Sequence, residues 1–166
     1  MNYLSKICAI AVLLMTILGG INAILRYTSK FTGQVWSSNA LSEGQWYVFS
    51  VVFLLGSVYT FSVDKHVRVD VLYSQFSSKR QSSINFWGHL LCTIPFCVLG
   101  IWSSGDFVYN SWVQWEVSSD PGGLARYPIK SLIPIAFFLL LIIAIRSTIQ
   151  HFRCAWGGST TATEVE

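Results

Sequence analysis

Residues 43–73 read EGQWYVFSVVFLLGSVYTFSVDKHVRVDVLY, and this stretch decides the class of fold. Between Glu43 and Asp64 no side chain is charged, and most positions are apolar or aromatic. That run is about 20 residues, the length an α-helix needs to cross a hydrocarbon core of about 30 Å. Trp46 and Tyr47 stand at its start, where amphipathic rings suit the boundary between lipid and water. Charge returns abruptly at its end as Asp64, Lys65, His66, Arg68 and Asp70. The stretch therefore predicts one transmembrane helix with an aromatic rim and a charged collar.

Outward from it, three more uncharged runs are candidates to span. They are Ile7 to Leu25, Gln81 to Gly105 (interrupted only by His89), and Ser131 to Ile145. The last is short, and it reaches spanning length if Lys130 and Arg146 snorkel toward opposite interfaces. Only 11% of the 166 residues are charged, which points the chain toward lipid, and four helices in a chain of this length leave no room for a soluble catalytic domain. The expected architecture is an all-α integral membrane protein with four transmembrane helices. The spans are placed at residues 7–26, 44–63, 82–104 and 128–149, inside a membrane domain of residues 1–153. A disordered cytoplasmic tail, 154–166, follows.

The net charge is +3, and its placement says more than its size. With the N-terminus inside, Lys6, Lys65, Arg68, Lys79, Arg80, Arg146 and Arg153 face the cytoplasm, against Arg26, Lys30, Arg126 and Lys130 outside. Seven against four favours cytoplasmic termini. No basic stripe forms, so nucleic acid is not an expected partner. Cys8, Cys92, Cys97 and Cys154 form no Cys-x-x-Cys pair and read as small gap-filling side chains.

Met1 to Leu25 resembles a signal peptide at first sight, but its apolar run is longer than a usual h-region, so the segment is expected to be kept. Gly19 and Ala23 have the small-x-x-x-small spacing, and Gly56 with Thr60 could form a second close-packing notch. Phe31, Val35 and Trp36 leave the first external connection open between an interfacial helix and an irregular loop. Pro95 should kink the third helix. His89 is expected to be a neutral imidazole bonded to a neighbouring helix. In the second external connection Val108, Trp112 and Trp115 recur at helical spacing, as an interfacial helix or the extended top of helix three. Asp120-Pro121-Gly122-Gly123 is a turn. The alternating His66-Val67-Arg68-Val69-Asp70 suggests a helix end or structured turn rather than a lone strand, which would leave backbone groups unpaired.

No phosphate loop, paired-carboxylate site, metal spacing or nucleophile constellation is legible, so an enzyme is not expected. No span carries an acid near its middle, and no pair of broken hydrophobic segments marks a carrier core.

One ordered set of residues resembles a known family. Glu43-x-Gln45-Trp46-Tyr47-x-Phe49, Leu55-Gly56-x-x-Tyr59-Thr60 and His66-Val67-Arg68-Val69-Asp70-Val71-x-Tyr73 are similar to the small permease subunit (DctQ-like) of tripartite ATP-independent periplasmic (TRAP) transporters. Asn22, Arg26-Tyr27, Ser111-Trp112, Glu116-x-Ser118, Gly122-Gly123-Leu124, Pro128 and Lys130 fit the same set. The resemblance implies a bacterial inner-membrane subunit that braces a large permease subunit. The large subunit imports an organic acid with sodium, and a periplasmic binding protein delivers that acid. Large subunit, binding protein and membrane lipids are the expected partners, with no cofactor. The large subunit is expected as a separate chain. Glu43, Trp46, His66, Arg68, Asp70 and Glu116 are the expected contact residues. The alternative is a haem- or quinone-binding membrane anchor of a respiratory enzyme, although only His89 falls inside a predicted span while His66 and His151 flank spans.

Overall fold

The computed structural model describes residues 3–33, 38–63 and 73–156. The collar residues His66, Arg68 and Asp70, the loop residues Val35 and Trp36, and the tail beyond Trp156 lie outside the described residues. The rest is helical: α1 (Tyr3–Thr32), α2 (Asn39–Ser62), α3 (Ser78–Gly88), a π turn (His89–Thr93), α4 (Ile94–Val113) and α5 (Tyr127–Trp156). With α3, the π turn and α4 continuous, four helical stretches among the described residues are long and apolar enough to cross a membrane.

Hydrocarbon offers no water to backbone groups, so a spanning chain must satisfy them along its own helix. Hydroxyls inside the spans do the same: Thr16 donates to the Val12 carbonyl at 2.9 Å, Ser29 to Leu25 at 2.7 Å and Thr148 to Ala144 at 2.7 Å. The helices outrun the expected spans. α1 reaches Thr32, so the start of the first external connection is helix, and it stops where Gly33 turns left-handed (φ 69°) with its N–H on the Ser29 carbonyl. α5 runs on through Cys154 to Trp156. Tryptophan and charged side chains tolerate the interface, so nothing at these ends forces the helices to stop at the hydrocarbon edge.

At Pro95 the ladder changes register. The ring carries no N–H, and the turn before it widens so that the Ile94 N–H reaches the His89 carbonyl, five residues back. The expected disturbance is thus taken up as a π turn.

The four spans form an open row. α1 packs on α2, α2 also on α5, and α5 on both α3 and α4. α5 is the middle of the row, with 17% of its apolar window buried against 6% in each other span. The buried positions are small: Cys97, Ser104 and Ser111 on α4, seven residues apart, face Ala136 and its fellows on α5. Gly100 belongs to this contact, since a Cβ there would stand 2.8 Å from the Phe137 ring. Gly19 likewise lets α2 bring Gln45 against α1. Gly56 does not form the expected notch within the chain, because its open side meets nothing. An apolar groove of about 620 Å³ lies over α5, walled by Phe53 and Phe61 of α2 and Cys92 and Phe96 of the third span.

Candidate functional site in the loop that joins the last two spans

α4 ends at Val113 and hands the chain to a loop through a Schellman closure. The Glu116 N–H returns to the Ser111 carbonyl at 3.0 Å and the Trp115 N–H to Trp112 at 3.2 Å. Trp115 occupies the left-handed position (φ 48°) where glycine is usual. Its ring is held edge-on by Trp112 and Tyr127, at 6.2 and 5.3 Å between centroids. Backbone strain at a non-glycine residue persists only where surrounding contacts fix it. Val108 and Trp112 therefore belong to the extended top of the third span, not to a separate interfacial helix.

The loop then doubles back. Ser118 and Arg126 donate backbone N–H groups to Leu124 and Glu116, giving a single antiparallel bridge between Val117 and Ala125. Its tip is the expected turn: Pro121 precedes Gly122 (φ 74°), and the Gly123 N–H closes on the Asp120 carbonyl at 3.0 Å. A type II turn demands positive φ at its third residue, so glycine belongs there.

Glu43, in the first turns of α2, reaches up into this loop and is 3% exposed. Its carboxylate accepts the Ser118 hydroxyl and the Leu124 N–H (2.5 Å), with the Arg126 guanidinium at 3.9 Å. Gly123 lets it in, because a Cβ at that position would collide with the Ser118 side chain and the Glu43 carboxylate. Around Glu43, Tyr47 donates its hydroxyl to the Ala125 carbonyl at 2.6 Å, and the Asn39 amide donates to Pro121 at 3.0 Å. α2 thereby grips the loop at three levels.

Glu116 performs the matching task on the other side. It accepts the Ser111 hydroxyl at 2.7 Å and the Lys130 ammonium, which also sits 4.0 Å over the Phe107 ring. The Lys130 ammonium first, and the Ser111 hydroxyl second, hold the Glu116 carboxyl below the usual carboxylate range. Trp112 adds a bond from its indole N–H to the Ser131 hydroxyl at 2.7 Å. On α1, Asn22 is buried and donates to Ser42 at 2.9 Å, tying the first span to the same end of the molecule. Both cap carboxylates have their acceptor capacity turned inward onto this chain, so the arrangement suits holding a shape rather than moving a proton or a ligand.

Of the six expected contact residues, the structure brings Glu43 and Glu116 into this cap and leaves Trp46 beside it, 62% exposed. Tyr47, Ser118, Arg126 and Lys130 complete the cap. Their signal in the sequence was the set of opposite charges bracketing the Asp120-Pro121-Gly122-Gly123 turn.

The profile of the family described as "Tripartite ATP-independent periplasmic transporters, DctQ component" matches residues 15–154, from the middle of α1 through nearly all of α5. The chain belongs to this family. As a DctQ component it is a small permease subunit of a TRAP transporter and a multi-pass membrane protein, in a family of transporter components. No curated protein matches the chain. The matched region takes in every cap residue named above.

At the opposite end of this DctQ chain two histidines meet. His89 lies 3.4 Å from the Thr93 hydroxyl one turn along its own helix, and Phe61 of α2 meets its ring edge-on. His151, expected to flank a span, lies within α5 with its ring stacked on His89 at 5.6 Å. Among the described residues no group of three or more His, Cys, Asp or Glu comes together as a metal site. The four cysteines are free, and only Cys97 is buried as a gap filler.

Proposed function

We propose that this DctQ chain is the static brace of a sodium-coupled importer of an organic acid, in the bacterial inner membrane. A periplasmic binding protein supplies the acid, a large permease subunit moves it, and this chain enlarges the frame against which that subunit works. The observation that carries the reading is the open row of spans. It leaves long apolar faces on α1 and α4 uncovered, while the charged groups of the cap are consumed in fixing the loop. Trp46 is the contact on the exposed side of α2, with Glu43 and Glu116 acting from behind by setting the loop that flanks it. His66, Arg68 and Asp70 supply the second contact, at the cytoplasmic surface. The cap faces the periplasm and both termini face the cytoplasm.

The reading is tested in proteoliposomes holding the large subunit with or without this chain, given a sodium gradient and the loaded binding protein. Uptake of labelled organic acid should require this chain, and the purified chain alone should show no saturable heat with the same acids. Equal uptake without it would sink the proposal. Orientation follows from single cysteines in a cysteine-free version, which breaks no disulfide among the described residues. Cysteines replacing Ser38 and Ser119, both at the cap end, should react with an impermeant thiol reagent in intact cells. A cysteine replacing Ser77 should not.

A further inference from the structure

His89 in the third span and His151 in α5 bring two imidazoles together at the end of the row away from the cap. Their ring centroids are 5.6 Å apart and their planes differ by 28°. Neither the cap nor the brace reading uses them. Both are half-buried, and Phe61 of α2 closes one side of His89 edge-on at 5.3 Å. The packing around them is aromatic rather than close. No residue of α3 or of the π turn is buried, and Phe86 meets α5 through the rings of Phe152 and Trp156. Imidazole differs from these neighbours in one respect: its nitrogens can bind a metal ion.

Three features of the pair suit a metal clip. Imidazoles that share one ion stand about 5–6 Å apart between ring centres, given a metal–nitrogen bond of about 2.0–2.1 Å. The two rings already have that separation. His89 is also supported from behind, since its Nδ1 lies 3.4 Å from the Thr93 hydroxyl. Metal-bound imidazoles take such support on the nitrogen that does not hold the ion, which assigns Nε2 as the ligand. The third feature is the π turn, which begins at His89 and ends at Thr93 and so sets the aim of both side chains. Widened turns of this kind recur at functional sites in helices. Arg153 lies two residues beyond His151, on the other side of α5, so its charge is turned away from the pair.

We propose that His89 and His151 bind one divalent transition-metal ion of the zinc and copper class, which clips the third span to α5. Imidazole nitrogen suits Zn, Cu and Ni, and the pair offers no carboxylate oxygen to hold Mg or Ca. Among the described residues no third His, Cys, Asp or Glu joins the pair, so water completes the coordination. Arg146 and Arg153 bracket His151, which puts the pair where charge and water begin rather than at the bilayer centre. At the cap end Trp112 already ties the third span to Ser131 of α5. The ion supplies the matching tie at the other end, where rings alone hold the two helices. The clip lies within this chain and does not depend on the brace reading.

The test titrates zinc chloride into the purified full chain, free of any affinity tag, in a cysteine-free version that also carries His66→Gln. Calorimetry should give one saturable site per chain at micromolar concentration. Zinc should raise the melting temperature, because it binds the folded chain, and magnesium should not. His89→Gln and His151→Gln should each abolish the shift. Thr93→Val leaves both ligands in place and should weaken zinc about tenfold through the lost support of His89. Copper(II) gives a readout that needs neither histidine replaced: its electron paramagnetic resonance spectrum should show coupling to two imidazole nitrogens. A zinc shift that survives in His151→Gln, or a copper spectrum with a single imidazole nitrogen, would overturn the clip. So would the lack of saturable zinc binding up to millimolar concentration, or a magnesium shift equal to that of zinc.

Discussion

Two carboxylates near the same end of the molecule have opposite fates. Glu43 is buried, and its oxygens accept bonds from Ser118 and Leu124, 75 and 81 residues along the chain. Asp106 is exposed on α4 and engages nothing that the described residues offer. The first was spent on folding: it fixes how a loop closes over two spans. The second lies past the expected third span and takes no part in holding the fold. The same contrast runs through the whole chain. The cap is held by directional bonds among polar groups, whereas the helix faces are apolar and outward.

The largest effect should come from closing the opening that admits Glu43. Gly123→Val puts branched bulk where even one Cβ collides with Ser118 and Glu43. It should abolish the monodisperse peak of the chain in detergent size-exclusion chromatography. A variant that elutes and melts like the parent would show that the cap does not hold the fold.

Next is the seam between α4 and α5. Gly100→Leu drives a side chain into the Phe137 ring, and overpacking of this kind costs about 1–3 kcal/mol. Its melting temperature should fall well below the parent's but above that of Gly123→Val. A larger loss here than at Gly123 would reverse the ranking of seam and cap.

The architecture of spans was legible because uncharged runs bounded by charges leave few alternatives in a chain so poor in charge. The turn at Pro121-Gly122 was legible for its local chemistry. The order of the helices in the row was not, because a helix surrounded by lipid needs no polar face, and periodicity then carries no direction. The inward role of Glu43 was equally hidden. Its position before an apolar run reads as an interfacial charge, and its partners lie on a loop far along the chain. The π turn had only Pro95 as a signal, and a proline reports that the ladder breaks without saying how it is repaired.

Smaller again is the loss of one cap bond. Tyr47→Phe removes the hydroxyl that bonds the Ala125 carbonyl and should destabilise the chain by about 1 kcal/mol, read from thermal melts in detergent. No change would mean that the Asn39 and Glu43 bonds hold the loop without it.

Acid should loosen the same cap. The Glu116 carboxyl is held below its ordinary value by Lys130 and Ser111, so its contribution is complete above the unfolded-state carboxylate value of about 4.3. It is lost as pH falls through the lower folded value. Melts should therefore be flat from neutral pH down to about 5 and decline below about 4, with Glu116→Gln removing that part of the decline. A decline beginning near pH 6 would point instead to a histidine.

The smallest effect should come from filling a glycine on an open face. Gly56 on α2 and Gly105 on α4 both meet empty space, unlike Gly100 and Gly123. Alanine there fills no occupied volume and favours the helix by up to about 1 kcal/mol over glycine. Gly56→Ala and Gly105→Ala should thus leave the isolated chain unchanged or slightly stabilised. A melting temperature lowered by either alanine would show that its glycine faces a packed contact within the chain.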